Sequence, residues 1–158
     1  MNNMKCPVCE FENKNEEGQH LVCLVCGVDL TNSNAETKLM EATTSATFAT
    51  SDRMSDMRKE AFIYLTDKRL IVIPADIKFV GHGLGGGLAA AAAKALHNKM
   101  TSDSGVISIP LADIKAVKDG KFGLLVKAIV IETINNEIIK ITVPKRNEWK
   151  EALAKASK

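Results

Sequence analysis

A chain of 158 residues suits one ordinary domain plus a small appendage, and 46% hydrophobic with 25% charged residues is a normal globular balance. The formal net charge of +2 excludes a nucleic-acid polycation, but the charge is unevenly spread. Residues 1–30 hold two Lys and five acids, a net of −3, and residues 31–158 hold nineteen Lys+Arg and fourteen acids, a net of +5, which points to two units and favours an anionic partner for the larger one.

The first unit is read from its cysteines. Residues 1–6 contain no apolar run, so no secretory signal is expected and a reducing cytoplasm is the simplest setting. All four cysteines fall within the first 26 residues, as Cys6-x2-Cys9 and, after a gap of thirteen, Cys23-x2-Cys26. Two cysteines two residues apart aim both thiolates at one ion, and two such knuckles make a tetrahedral sulfur shell suited to Zn2+. Two structural disulfides are the competing reading, and iron is the competing metal; Phe11, the lone aromatic nearby, favours zinc. Pro7 stiffens the first knuckle, Gly27 after the second tolerates positive φ, and residues 13–18 suggest the turn between them. His20 reads as a surface residue. Protein ligands fill every coordination position, so the metal is structural, and about 30 residues build too small a core to fold without it.

Residues 31–38 are small and polar and read as a linker, with the second unit starting near Leu39. Strand-like runs follow: the Thr-rich stretch 43–50 around Phe48, then 61–66 (AFIYLT) and 69–74 (RLIVIP) as a hairpin across Asp67-Lys68. Residues 106–109 form a run ending at Pro110, and 114–117 a short one. Runs 124–133 and 137–143 flank a turn at Asn135-Asn136. Between the runs 69–74 and 106–109, residues 88–100 (LAAAAAKALHNKM) have high helix propensity. A closing helix is expected from Asn147 as N-cap, with Trp149, Ala152, Leu153 and Ala156 on one apolar stripe.

The glycine-rich stretch tests a different function. Gly81-His82-Gly83-Leu84-Gly85-Gly86 fits G-x-G-x-x-G, but hairpins surround it in place of a parallel β-α-β series, and Asp103 lies in a loop. Small residues at Gly83, Gly87, Ala91 and Ala95 suit close helix packing, so the segment at about 81–100 is expected as an insertion and a homo-oligomer contact. The charge-free stretch 79–93 is shorter than the roughly 20 apolar residues of a membrane span. None of the three His, at 20, 82 and 97, has a convincing catalytic partner, so no enzyme is expected.

Tyr64-Leu65-Thr66-Asp67-Lys68-Arg69-Leu70 resembles the L-T-[ND]-K-R-L hairpin of GRAM and bacterial PH-like domains. Ile109-Pro110-Leu111-Ala112-Asp113-Ile114 is similar to the segment that follows it there, and Glu148-Trp149 to the closing helix. The likeness covers residues 39–156, behind an N-terminal zinc ribbon. It implies a mainly β fold with α: a bent antiparallel β-sandwich or partial barrel of about seven strands with a C-terminal capping helix. It also implies a non-enzymatic protein- or lipid-binding module, with Arg53, Arg58 and Lys59 at the ligand position and Lys68 and Arg69 as turn and packing residues. The expected partner is a protein or an anionic lipid, the latter making the chain membrane-peripheral. Nucleic-acid association through the ribbon is disfavoured by its net charge of −3.

Overall fold

The computed structural model describes residues 2–15, 22–32, 35–49, 59–74, 106–122 and 125–158. Strands β1 (Asn2–Lys5) and β2 (Glu12–Asn15) pair antiparallel in the cysteine module. The larger unit contains β3 (Lys38–Ala49), β4 (Lys59–Thr66), β5 (Arg69–Pro74), β6 (Ile107–Pro110), a 3-10 turn (Leu111–Asp113), β7 (Ile114–Phe122), β8 (Val126–Thr133), β9 (Ile138–Ile141) and helix α1 (Arg146–Ala156). Among the described residues the larger sheet is entirely antiparallel, in the order β6-β5-β4-β3-β9-β8-β7. This is the mainly β fold with a closing helix that the resemblance implied.

The inward faces meet in one core. Ala61, Ile63 and Leu65 of β4, Leu70 and Val72 of β5, Ile109 of β6, Ile129 and Ile131 of β8, and Ile139 and Ile141 of β9 pack together under Trp149 and Leu153 of α1. Strands from both edges of one sheet share this core, so the sheet bends around it. The expected stripe holds: Trp149 and Leu153 are buried, and Ala152 and Ala156 pack against the same cluster. Pro110 sits on edge strand β6, where its missing N–H costs no ladder bond.

Hairpin β4–β5 turns at Asp67-Lys68 as expected, with Leu65 opposite Leu70. Its strands are apolar on both faces. Tyr64 opposite Ile71 and Phe62 opposite Ile73 point away from the core, yet Tyr64, Ile71 and Ile73 are buried. Strands with both faces covered read as nearly continuous apolar runs, and AFIYLT and RLIVIP are such runs.

Three local expectations need correction. Asn147 is not the N-cap: α1 begins at Arg146 after Lys145, which takes the left-handed conformation at φ 54° and makes no side-chain cap bond. Asp119 of β7 holds this end of the helix instead, ion-paired to Arg146 and to Lys150. Those two cations, Lys150 first, hold the Asp119 carboxyl below its ordinary range. Strand β7 runs to Phe122 and not 117, because pairing with β8 outweighs the weak strand preference of Lys118-Asp119-Gly120-Lys121. Residues 13–15, expected in a turn, belong to β2. The Gly/Ala-rich segment 81–100, with its expected helix 88–100, lies outside the described residues.

Gly120 is required by close approach. A Cβ there would overlap Cγ2 of Val130 on the neighbouring strand, and a β-branched side chain in a sheet has little room to yield. Gly120→Ala is therefore expected to destabilise the chain by about 1–3 kcal/mol through overpacking. Adding Val130→Ala should recover part of that loss. Urea unfolding of both variants checks this; an unchanged midpoint for the single variant contradicts the close approach.

Candidate metal centre

Each cysteine pair sits in the same hydrogen-bonded turn. The Cys6 N–H donates to the Phe11 carbonyl at 2.8 Å, and the Glu10 N–H donates back to the Cys6 carbonyl at 3.0 Å. In the second knuckle the Cys23 N–H donates to the Val28 carbonyl at 2.7 Å, and the Gly27 N–H to the Cys23 carbonyl at 2.8 Å. The residue after the second cysteine of each pair takes positive φ: Glu10 at 61° and Gly27 at 72°. Glycine enters this conformation freely, whereas Glu10 does so against its Cβ, held by the turn's two backbone bonds. The Val8 N–H also points to Cys6 Sγ at 3.4 Å.

The knuckles face each other. Cys6 Sγ lies 3.5 Å from Cys26 Sγ, Cys9 Sγ lies 3.5 Å from Cys23 Sγ, and all four sulfurs fall within 4.8 Å of one another. A tetrahedral ion with bonds of ~2.3 Å sets its sulfurs ~3.8 Å apart, so the cluster has the dimensions of a four-thiolate site. All four cysteines are buried and none is in a disulfide. These four buried cysteines are positioned to bind one metal ion.

Without a cation the four sulfurs cannot all ionise together: the Cys6 and Cys23 thiols are lowered and the Cys9 and Cys26 thiols are raised. Hydrogen bonds from Cys26, Cys6 and Cys9 stabilise a Cys23 thiolate and hold that thiol far below its ordinary value. The same bonds to Cys23 push the Cys9 and Cys26 thiols up. A divalent ion removes the conflict by letting all four ionise, so binding releases protons and acid opposes it. Asn13 braces the cage: its amide Nδ2 donates to the Phe11 carbonyl at 3.1 Å, and its Oδ1 accepts from the Leu24 N–H at 2.9 Å.

The module is seated on the sheet. Val8, Phe11, Val25, Val28 and Leu30 form one apolar cluster with the outward-facing Tyr64, Ile71 and Ile73. Two polar fasteners flank this contact. Arg69 Nε donates to Glu36 Oε1 at 2.8 Å, its Nη1 donates to Ser108 Oγ at 3.0 Å, and its guanidinium lies beside Gly27. Glu36 is itself buried and also accepts from Thr66 Oγ1 at 2.7 Å, so the segment 35–38 lies against the β4–β5 turn. On the other flank, Lys38 Nζ reaches Glu10 at 3.4 Å and Glu41 at 2.6 Å and stands 5.9 Å from the Tyr64 ring centroid. A cleft of about 370 Å³ opens here, lined by Glu10, Glu41, Thr43, Phe62 and Tyr64. Burial, then the neighbouring negative charges, pushes the Tyr64 phenol up, so it stays neutral.

Cys6, Cys9, Cys23 and Cys26 are thus brought together as expected, and Lys68 and Arg69 occupy turn and packing positions. Arg53 and Arg58 lie outside the described residues, as does His20; Lys59 is described only in its backbone pairing with Ala46. Sequence reasoning missed the seat of the module. Its signal was present in the outward Tyr64, Ile71 and Ile73, which a solvent-facing sheet has no reason to carry.

No protein-family model matches the chain, and no curated protein matches it. Among solved structures the chain is similar to the C-terminal domain of an unknown protein from Leishmania infantum, at TM-score 0.49 and 15% identity over 77% of this chain and 84% of that one. It is also similar to the Vps36 N-terminal PH domain, at TM-score 0.48 and 14% identity over 80% of this chain and 82% of that one.

The seat and the metal should be coupled. Cys23→Ser removes a ligand and is expected to lower metal affinity by a factor of 100 or more. Ile71→Asp leaves all four ligands in place but sets a charge in the apolar seat, and should still weaken metal retention against a chelator. Both variants, and the wild type at decreasing pH, are read by the rate of metal release. Retention by Ile71→Asp equal to wild type contradicts the coupling.

Proposed function

We propose that the chain is a non-enzymatic, cytoplasmic binding protein: a zinc ribbon at 1–30, a joining segment at 31–38, and a PH/GRAM-like module at 39–158 that engages an anionic phospholipid surface. The observation that carries this reading is the closed sulfur cage seated on the sheet. With four cysteines around one centre, no coordination position is left for substrate or water, so the metal's work is to hold a structure. A closed-shell ion of tetrahedral habit fits that work, which favours zinc over iron. The larger unit then supplies the binding surface, and its net charge of +5 favours an anionic partner. No helix among the described residues is long and apolar enough to cross a membrane, and the contact proposed is a peripheral one.

Elemental analysis of the purified chain should find about one zinc per chain, bound by four sulfurs at ~2.3 Å. The intact protein should sediment with phosphatidylcholine vesicles that contain phosphatidylserine and stay in solution with phosphatidylcholine alone. NAD and ATP should give no measurable heat on titration. Equal sedimentation with both vesicle types, or with neither, contradicts the partner; iron or no metal contradicts the centre.

A further inference from the structure

We infer that the tip of the β7–β8 hairpin is a membrane-contact element, in which Leu125 enters the interface of an anionic bilayer and Lys121 and Lys127 meet its phosphates. The inference rests on the lipid-surface reading above and names the surface that performs it.

Leu125 is 90% exposed, the most exposed of the large hydrophobic residues described. A lone exposed leucine is ordinary, so the case depends on what surrounds it. Four lysines lie on this hairpin: Lys115, Lys118 and Lys121 on β7, and Lys127 on β8. The two farther from the tip are paired within the molecule, Lys115 and Lys118 sharing Glu132, at 3.3 and 2.9 Å. The basic residues of α1 that reach β7 are likewise satisfied, by Asp119. Lys121 and Lys127 differ. Both are exposed, neither forms an ion pair among the described residues, and the ladder sets them directly opposite each other. Like charges facing each other across an antiparallel pair are destabilising, and a shared external anion turns that repulsion into a site.

The spacing fits a bilayer. Lys127 of β8 follows the turn residue Leu125 by two residues, so along the chain the charged rung stands at most about 7 Å behind Leu125. Interfacial segments bury their apolar residues about 5–10 Å into the boundary between headgroups and acyl chains, which leaves this rung among the phosphates. A nucleic acid would use the two lysines and have no use for Leu125.

The test is sedimentation of the full metal-loaded chain with phosphatidylcholine vesicles, with and without phosphatidylserine. Lys121→Gln with Lys127→Gln is expected to weaken binding to the anionic vesicles about thirtyfold, at about fivefold per lysine. Leu125→Ser, which leaves the charge unchanged, should weaken it about tenfold. Lys115→Gln should bind like wild type. All these sites are exposed, and matching unfolding midpoints show that each variant folds. If the wild type binds anionic vesicles and the tip variants bind equally well, the hairpin is not the contact and the lipid reading survives. If the wild type binds neither vesicle, both fail. If loss of the lysines weakens binding and Leu125→Ser does not, contact is electrostatic alone and insertion is overturned.

Discussion

The structure depends on burial of the outer face of hairpin β4–β5. A sheet that wraps one core needs an apolar inner face only, and its outer face normally meets water. Here Tyr64, Ile71 and Ile73 turn outward and are covered by Val8, Phe11, Val25 and Val28 of the cysteine module. Burying one such side chain is worth about 1.5–3 kcal/mol, so exposing this face would cost a large part of a marginal stability. The cover itself is too short to hold its own shape. A metal in the sulfur cage would fix the cover, and the cover buries the outer face of the sheet; the two units are joined in a way their separate positions along the chain do not suggest.

Charged pairs give that contact its register. Arg69 binds Glu36 on the approach to the sheet and lies against Gly27 of the second knuckle, while Lys38 bridges Glu10 after the first knuckle to Glu41 on β3. The apolar seat is non-directional, and these pairs define which way the module faces. The buried Glu36 carboxylate also explains the segment's course: a charge left there without Arg69 and Thr66 would be strongly unfavourable.

Much of this was legible in the sequence. The four-cysteine spacing points to one metal-sized cluster because each knuckle is a local structure, closed by bonds within six residues. The β4–β5 turn and the α1 stripe were legible for the same reason. What escaped was non-local. Strand β7 extends through Lys118–Lys121 only because β8 pairs with it, and Asp119 replaces an N-cap only because the fold brings Arg146 and Lys150 to it. The positive φ at Glu10 gives no sign in its residue type; the signal is its equivalence to Gly27 in the repeated turn. The seat on the sheet was written in the two-sided apolarity of AFIYLT and RLIVIP, which a reading for strand existence alone passes over.

A fold built this way has two distinct ends. One end of the sheet system is closed by the cysteine module, and on hairpin β7–β8 Lys121 and Lys127 form no ion pair among the described residues. The claim beneath the whole account is that the metal protects β4–β5, and hydrogen–deuterium exchange of the intact chain with metal bound and after chelation tests it most directly. The account predicts that removing the metal accelerates exchange in residues 62–73 as well as in residues 4–30, while α1 and β8 change little. Faster exchange confined to residues 4–30, with β4–β5 as protected as before, would contradict it.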